Sequence, residues 1–129
     1  MLMDDFHGEH ELNLVKEQLL KLFPGRQLIE LSTDHELFHV FYDIDALEET
    51  LVISLAYDRT VSHEDNCETC WVPQVFAILD ADGGIDVLIA YNFDLGDALE
   101  HADNELYSQK MTTFAMRFLI NVVIYVMSH

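Results

Sequence analysis

The 129-residue sequence predicts a single α/β domain with a mixed sheet. Three observations point there. Helix-like and strand-like patterns alternate over the first third of the chain. Two apolar runs flank a D-A-D-G-G turn at residues 80–84, the pattern of an antiparallel hairpin. An apolar segment of helical length closes the sequence. Hydrophobic residues make up 50% of the chain and aromatic residues 11%, enough to build a core. A disordered chain and a disulfide-held miniprotein are therefore both excluded.

The elements follow in order. Met1 to Met3 is a short apolar run ending in two aspartates, which reads as the end of a buried strand. His7-Gly8 opens a helix whose apolar positions, Leu12, Val15, Leu19, Leu22 and Phe23, lie on one side, and Pro24-Gly25 stops it. Gln27 to Leu31 is a short strand. Ser32-Thr33-Asp34 is a turn or cap before the aromatic segment Leu37 to Tyr42, in which Phe38, Phe41 and Tyr42 read as core. Residues 45–72 form a long excursion containing a strand-like patch, Leu51 to Leu55, and a polar stretch, Ser62 to Thr69. Gln74 to Leu79 and Ile85 to Tyr91 are the strands of the hairpin. Asn92 to His101 is a loop with a helical turn, and Asp103-Asn104 caps a final helix from about Glu105 to Met127. There is no internal repeat. Opening on a buried-looking strand without a lead-in suggests the second part of a larger domain, since an open sheet needs cover on both faces.

The charge is lopsided: 24 Asp and Glu against 6 Lys and Arg, a formal net charge of -18. Such a surface repels phosphate backbones and anionic membranes, so nucleic acid is excluded as a partner. The acidic amino terminus is not a secretory signal. The apolar stretch Met111 to Met127 contains Arg117 and Asn121 and falls short of the ~20 residues a span needs, so a buried helix and no membrane insertion is the expectation. A protein partner, a small polar ligand and a homodimer all stay open. Cys67 and Cys70 form one C-E-T-C pair, which fits half a zinc site, a redox disulfide or a local disulfide.

Four segments, in order, carry a resemblance to a known family: L-M-D-D-F-H-G, D-H-E-L-F-H-V-F-Y-D-I, N-F-D-L-G-D-A-L-E-H-A-D-N-E-L-Y and R-F-L-I-N-V-V-I-Y-V-M-S-H. Together they resemble the bacterial domain of unknown function 4159, of the class I glutamine-amidotransferase-like superfamily. The resemblance implies a flavodoxin-like three-layer sandwich of which this chain is the carboxyl-terminal portion. It also implies that whole relatives commonly carry an export signal. Leu99 stands where the family usually has Trp, removing an aromatic wall beside the acidic loop. Leu119 stands where it usually has Gly, placing a large side chain where close helix packing is expected. The resemblance supplies no activity. Amidotransferases need a Cys nucleophile on a sharp strand-to-helix turn, and neither cysteine has that setting.

The candidate site residues are Asp5, His7, Asp94, Asp97, Glu100, Arg117 and Asn121. In open α/β sheets, ligands bind beyond the carboxyl ends of the strands, which is where Asp5 and His7 fall. Carboxylate and imidazole there suit a transition metal, whereas the plainer reading makes Asp5 a helix cap. Asp94, Asp97, Glu100, His101 and Asp103 surround Gly96 without matching an EF-hand, so capping competes with ligand binding there too. His35 and His39 read best as histidines paired with carboxylates. Arg117 and Asn121 share a helix face, and Arg117 is expected to pair with Asp94 or Asp97. Two functions follow: a non-catalytic ligand- or protein-binding module acting through strand-end loops, or a metal-dependent hydrolase using Asp5, His7 and the acidic loop.

Overall fold

The structure, a computed structural model, describes residues 1–48, 50 and 69–129. Four strands form one mixed sheet: β1 (Leu2–Phe6), β2 (Leu28–Glu30), β3 (Gln74–Leu79) and β4 (Ile85–Tyr91), in the order β1-β4-β3-β2. β1 runs parallel to β4, and the other two pairings are antiparallel. Helix α1 (Gly8–Leu22) covers one face. The other is covered by α2 (Leu95–Glu100), α3 (Gln109–Ser128) and a 3-10 turn at Glu36–Phe38. The mixed α/β class expected from the sequence is what the chain adopts.

Strand alternation divides the core in two. Val75, Ala77, Leu88 and Ala90 point toward α3, where they meet Phe93, Phe114 and Phe118, whose rings lie nearly parallel at centroid separations of 5.6 to 6.3 Å. Ile78, Val87, Ile89 and Tyr91 point the other way, against Leu12, Val15, Leu19 and Phe23. Both faces of β3 and β4 are therefore apolar, which is why these strands read as continuous hydrophobic runs. The hairpin turn between them is built by Asp80. Its Oδ1 accepts from the Asp82 and Gly84 amides, both at 2.8 Å, and Gly83 takes the left-handed φ of 90° that a side chain would resist. Those amides hold the Asp80 carboxyl below the usual carboxylate range.

Several boundaries differ from the sequence expectation. β1 runs through both aspartates to Phe6 rather than ending at Met3. The last helix begins at Gln109 with Ser108 as its cap residue, not at Glu105. The intervening residues turn tightly instead, with the Asn104 side chain accepting from the Leu106 amide and Tyr107 buried as an anchor. Leu22 and Phe41 are exposed, at 72% and 62%, so neither belongs to the core, and Tyr42 is only half-buried. The Leu51 to Leu55 patch, Ser62 to Glu68 and Cys67 lie outside the described residues. Leu99 and Leu119 both pack against the core.

Asn121 is the least expected packing element. It is fully buried in an apolar helix, and both ends of its carboxamide bind Tyr42: Oδ1 accepts from the Tyr42 amide and Nδ2 donates to the Tyr42 carbonyl, each at 2.8 Å. One side chain thus does for the 39–44 segment what a strand neighbour would do. Asn121→Ala strands a backbone donor and an acceptor together. Urea unfolding is expected to show a loss of roughly 2–4 kcal/mol, since each buried unsatisfied group costs about 1–3 kcal/mol. Asn121→Asp, which still accepts but cannot donate, is expected to lose stability as well.

Candidate functional site at the ends of β1 and β4

The site begins with a defect in the sheet. Met3 pairs with Ile89 and Phe6 with Tyr91, so β1 carries one residue more than β4 over this interval. The extra residue sits at Asp4-Asp5, and Asp5 adopts a left-handed φ of 64°. Asn92, one residue past the end of β4, is left-handed too, at φ 59°. Two strained non-glycine residues therefore sit at the carboxyl ends of neighbouring parallel strands.

Asp4 lies on the sheet face that α2 covers and reaches the start of that helix. Its Oδ2 accepts from the Leu95 amide at 2.8 Å and the Gly96 amide at 3.1 Å, while Asp94 Oδ1 accepts from the Asp97 amide at 2.8 Å. The two carboxylates cap α2 from both sides. The caps do not offset burial completely. Loss of water pushes the Asp4 carboxyl up to about 6, with the Asp94 charge adding to the rise and the amide bonds opposing it. Asp94 is raised as well, first by burial and then by Asp97 and Asp5, with His7 acting in the opposite sense.

The first turn of α1 is capped differently from the sequence expectation. Asp5 is not its cap. His7 holds the cap position without a side-chain bond to the helix, and Glu11 reaches back to the His7 amide at 2.9 Å. The Gly8 amide donates to Asn92 Oδ1 at 3.0 Å, and the Glu9 amide to the Thr69 hydroxyl at 3.2 Å. This leaves His7 free of capping duty. It is buried, and Asp5 Oδ1 lies 3.5 Å from its Nε2, too far for a good hydrogen bond. Among the buried side-chain atoms of the described residues, Asp4 Oδ1 and His7 Nε2 stand without a hydrogen-bond partner. Such atoms are rare in native proteins and call for a reason.

Asp4, Asp5, His7 and Asp94 are thus gathered at one end of the sheet. A different set, Asp97, Glu100 and His101, holds ligand atoms all within 4.8 Å of one another on α2 and its end. The set Asp5, His7 and Asp94 does not meet that spacing among the described residues. Arg117 and Asn121 are elsewhere. Arg117 lines a groove with Asp43, Asp45 and Lys110, its guanidinium carbon 5.5 Å from the Tyr42 ring centroid. The expected ion pair with Asp94 or Asp97 is not formed among the described residues. The two histidines of the 35–39 segment do not converge: His35 Nδ1 accepts from the Leu37 amide, while exposed His39 bonds Asp43 and the Thr33 carbonyl. Cys70 is buried and disulfide-bonded. Sequence reasoning saw Asp4 beside Asp5 but did not carry it into the candidate set, and it missed Asn92. The Asp-Asp step at the end of a strand and an Asn just past the end of the next one were the available signals.

The family described as "Domain of unknown function (DUF4159)" matches residues 1–127, and the chain belongs to it. No curated protein and no solved structure matches the chain.

The raised Asp4 carboxyl has a direct consequence for stability. Its protonated form is favoured in the folded state. The stabilisation is therefore full below the usual carboxylate range and is lost as pH rises through about 6. Asp4→Asn mimics the protonated acid and is expected to remove this part of the pH dependence. The gain above pH 6 is on the order of 2 kcal/mol after allowance for solvent screening. Denaturant unfolding at pH 5 and pH 7.5 checks it, and parallel losses in wild type and variant would count against the assignment.

Proposed function

We propose that the protein is a ligand-binding module of amidotransferase-like, flavodoxin-like architecture, holding a small polar ligand at the carboxyl ends of β1 and β4. The observation that carries this reading is the pair of buried, unpartnered atoms, Asp4 Oδ1 and His7 Nε2, beside the Asp5 and Asp94 carboxylates. Carboxylates collected in partly buried surroundings suit a ligand that brings positive charge and N–H donors, such as an amine or a guanidinium group. Such a ligand would relieve the desolvation cost of Asp4 and Asp94 together. Among the described residues, the segments at these strand ends, 4–8 and 92–97, contain no Ser or Cys to act as a nucleophile beside His7, which supports binding over covalent catalysis.

The second reading, a metal-dependent hydrolase, is favoured by Asp97, Glu100 and His101, whose 4.8 Å spread suits ligands at ~2.0–2.6 Å from one ion. That set replaces Asp5 and His7 as the metal ligands of this alternative.

Thermal unfolding with putrescine, arginine, Zn²⁺, Mn²⁺ and Ca²⁺ separates the two, because binding to the native state raises the transition. The binding reading expects a rise with an amine or guanidinium compound that Asp5→Asn and His7→Ala both abolish. A rise with one metal that survives His7→Ala and disappears in His101→Ala supports the metal reading instead. A transition blind to every one of these compounds removes both.

A further inference from the structure

Helix α3 carries two apolar seams on opposite sides. Phe114, Phe118, Asn121 and Tyr125 face the core. Met116, Ile120, Val123 and Met127 face away and are exposed, three of them by more than half. Their spacing of four, three and four residues is a heptad seam, the pattern by which one helix accepts another along its length. Leu119 and Ile124 widen this surface, forming a shallow apolar groove with Ile120 and Val123. Exposed Val126 continues it toward Met1 and Leu2 on β1, the end strand of the sheet among the described residues. A helix apolar all round is ordinarily buried, and an outer face of this size marks an interaction surface.

Charge says what can cover it. None of the chain's acidic residues lies beyond Glu105, so α3 carries Lys110 and Arg117 and no carboxylate. In a chain of net charge -18, almost any other pair of surfaces brings like charges together when two copies meet. Across a two-fold axis between Ile120 and Val123, two α3 helices run antiparallel, with Ile120 against Val123 and Met116 against Met127. Arg117 of each copy then sits beside the last turn of the other helix, whose carbonyl end attracts a cation. The seam thus meets its own copy apolar against apolar, without opposing carboxylates.

We propose that the outer face of α3 is the contact through which two copies of this chain form a two-fold dimer. The contact is apolar and its flanks repel, so added salt strengthens it by screening those flanks.

Sedimentation velocity of the full chain over a range of concentrations tests this. A dimer that dissociates on dilution, and does so less readily in high salt, is the expected result. Ile120→Asp and Val123→Asp are expected to give monomers with an unchanged far-ultraviolet circular dichroism spectrum, because both side chains point away from the core. Leu14→Asp, on the exposed side of α1, is expected to leave the dimer intact. A wild-type monomer at every concentration overturns the proposal. So does a dimer that survives both α3 variants, or one that salt weakens. Monomeric protein that instead floats with phosphatidylcholine vesicles through Ile120 and Val123 would show that lipid is the occupant.

Discussion

The side chain of Asn92 is the constraint on which the strand-end region of this molecule depends. Its Nδ2 donates to the carbonyls of Thr69 and Val72, both at 2.7 Å, and its Oδ1 accepts from the Gly8 amide. Its own amide donates to the Phe6 carbonyl at 2.7 Å. One buried residue therefore joins the end of β4, the end of β1, the start of α1 and the chain entering β3. The left-handed backbone is what lets its carboxamide turn back into this junction, and Asn tolerates that conformation better than most residues. Both N–H donors of the carboxamide and its oxygen are engaged. A shorter or charged side chain would leave at least one of four segments without its partner.

The geometry of the candidate site follows from that junction. Because Asn92 supplies the Gly8 cap and Glu11 the His7 cap, the helix start makes no demand on Asp5 or on the His7 ring. Asp4 keeps the face of Leu2, the face that α2 and α3 cover, so its carboxylate reaches the α2 amides, and the bulge beside it returns Phe6 to the α1 face. A parallel strand pair alone would place these residues at the same end of the sheet, as parallel pairs do. The bulge and the two left-handed residues turn nearness into a shared, partly dry environment.

Much of the architecture was legible in the sequence, for reasons that differ by element. β3 and β4 are bounded by residues whose chemistry is local: apolar β-branched runs on either side of an aspartate-glycine turn. Their limits, Gln74–Leu79 and Ile85–Tyr91, are those the pattern indicates. The start of α3 was not legible, because Asp103 and Asn104 are good cap residues in isolation and only the burial of Tyr107 shows that the chain turns there first. Phe41 misleads similarly: an aromatic residue signals burial, yet Asn121 fixes the neighbouring backbone so that Phe38 goes inward and Phe41 does not. The site was half legible. Asp5, His7 and Asp94 were visible as strand-end polar residues. Asp4 was visible beside Asp5, but nothing local shows that its carboxylate caps a helix some ninety residues away, and Arg117 and Asn121 suggested a polar site only because nothing in one helix reveals that their partners lie in the 39–45 segment.

The acidity of the chain is partly structural, and that sharpens the meaning of the site. Glu11, Asp80 and Asp94 each accept backbone N–H bonds that a turn or helix start would otherwise leave open, so part of the negative charge holds the fold together. Asp80 shows how such a role looks in the open: its amide bonds lower its carboxyl, as good caps do. Asp4 makes two bonds of the same kind and yet rises to about 6. The difference is burial without full satisfaction, since Oδ2 is capped and Oδ1 has no partner. A group that served only as a cap would gain from being as well hydrated as the half-exposed Asp80. Asp4 is held where its ionised form is disfavoured, next to another carboxylate, a cost that capping α2 does not by itself require.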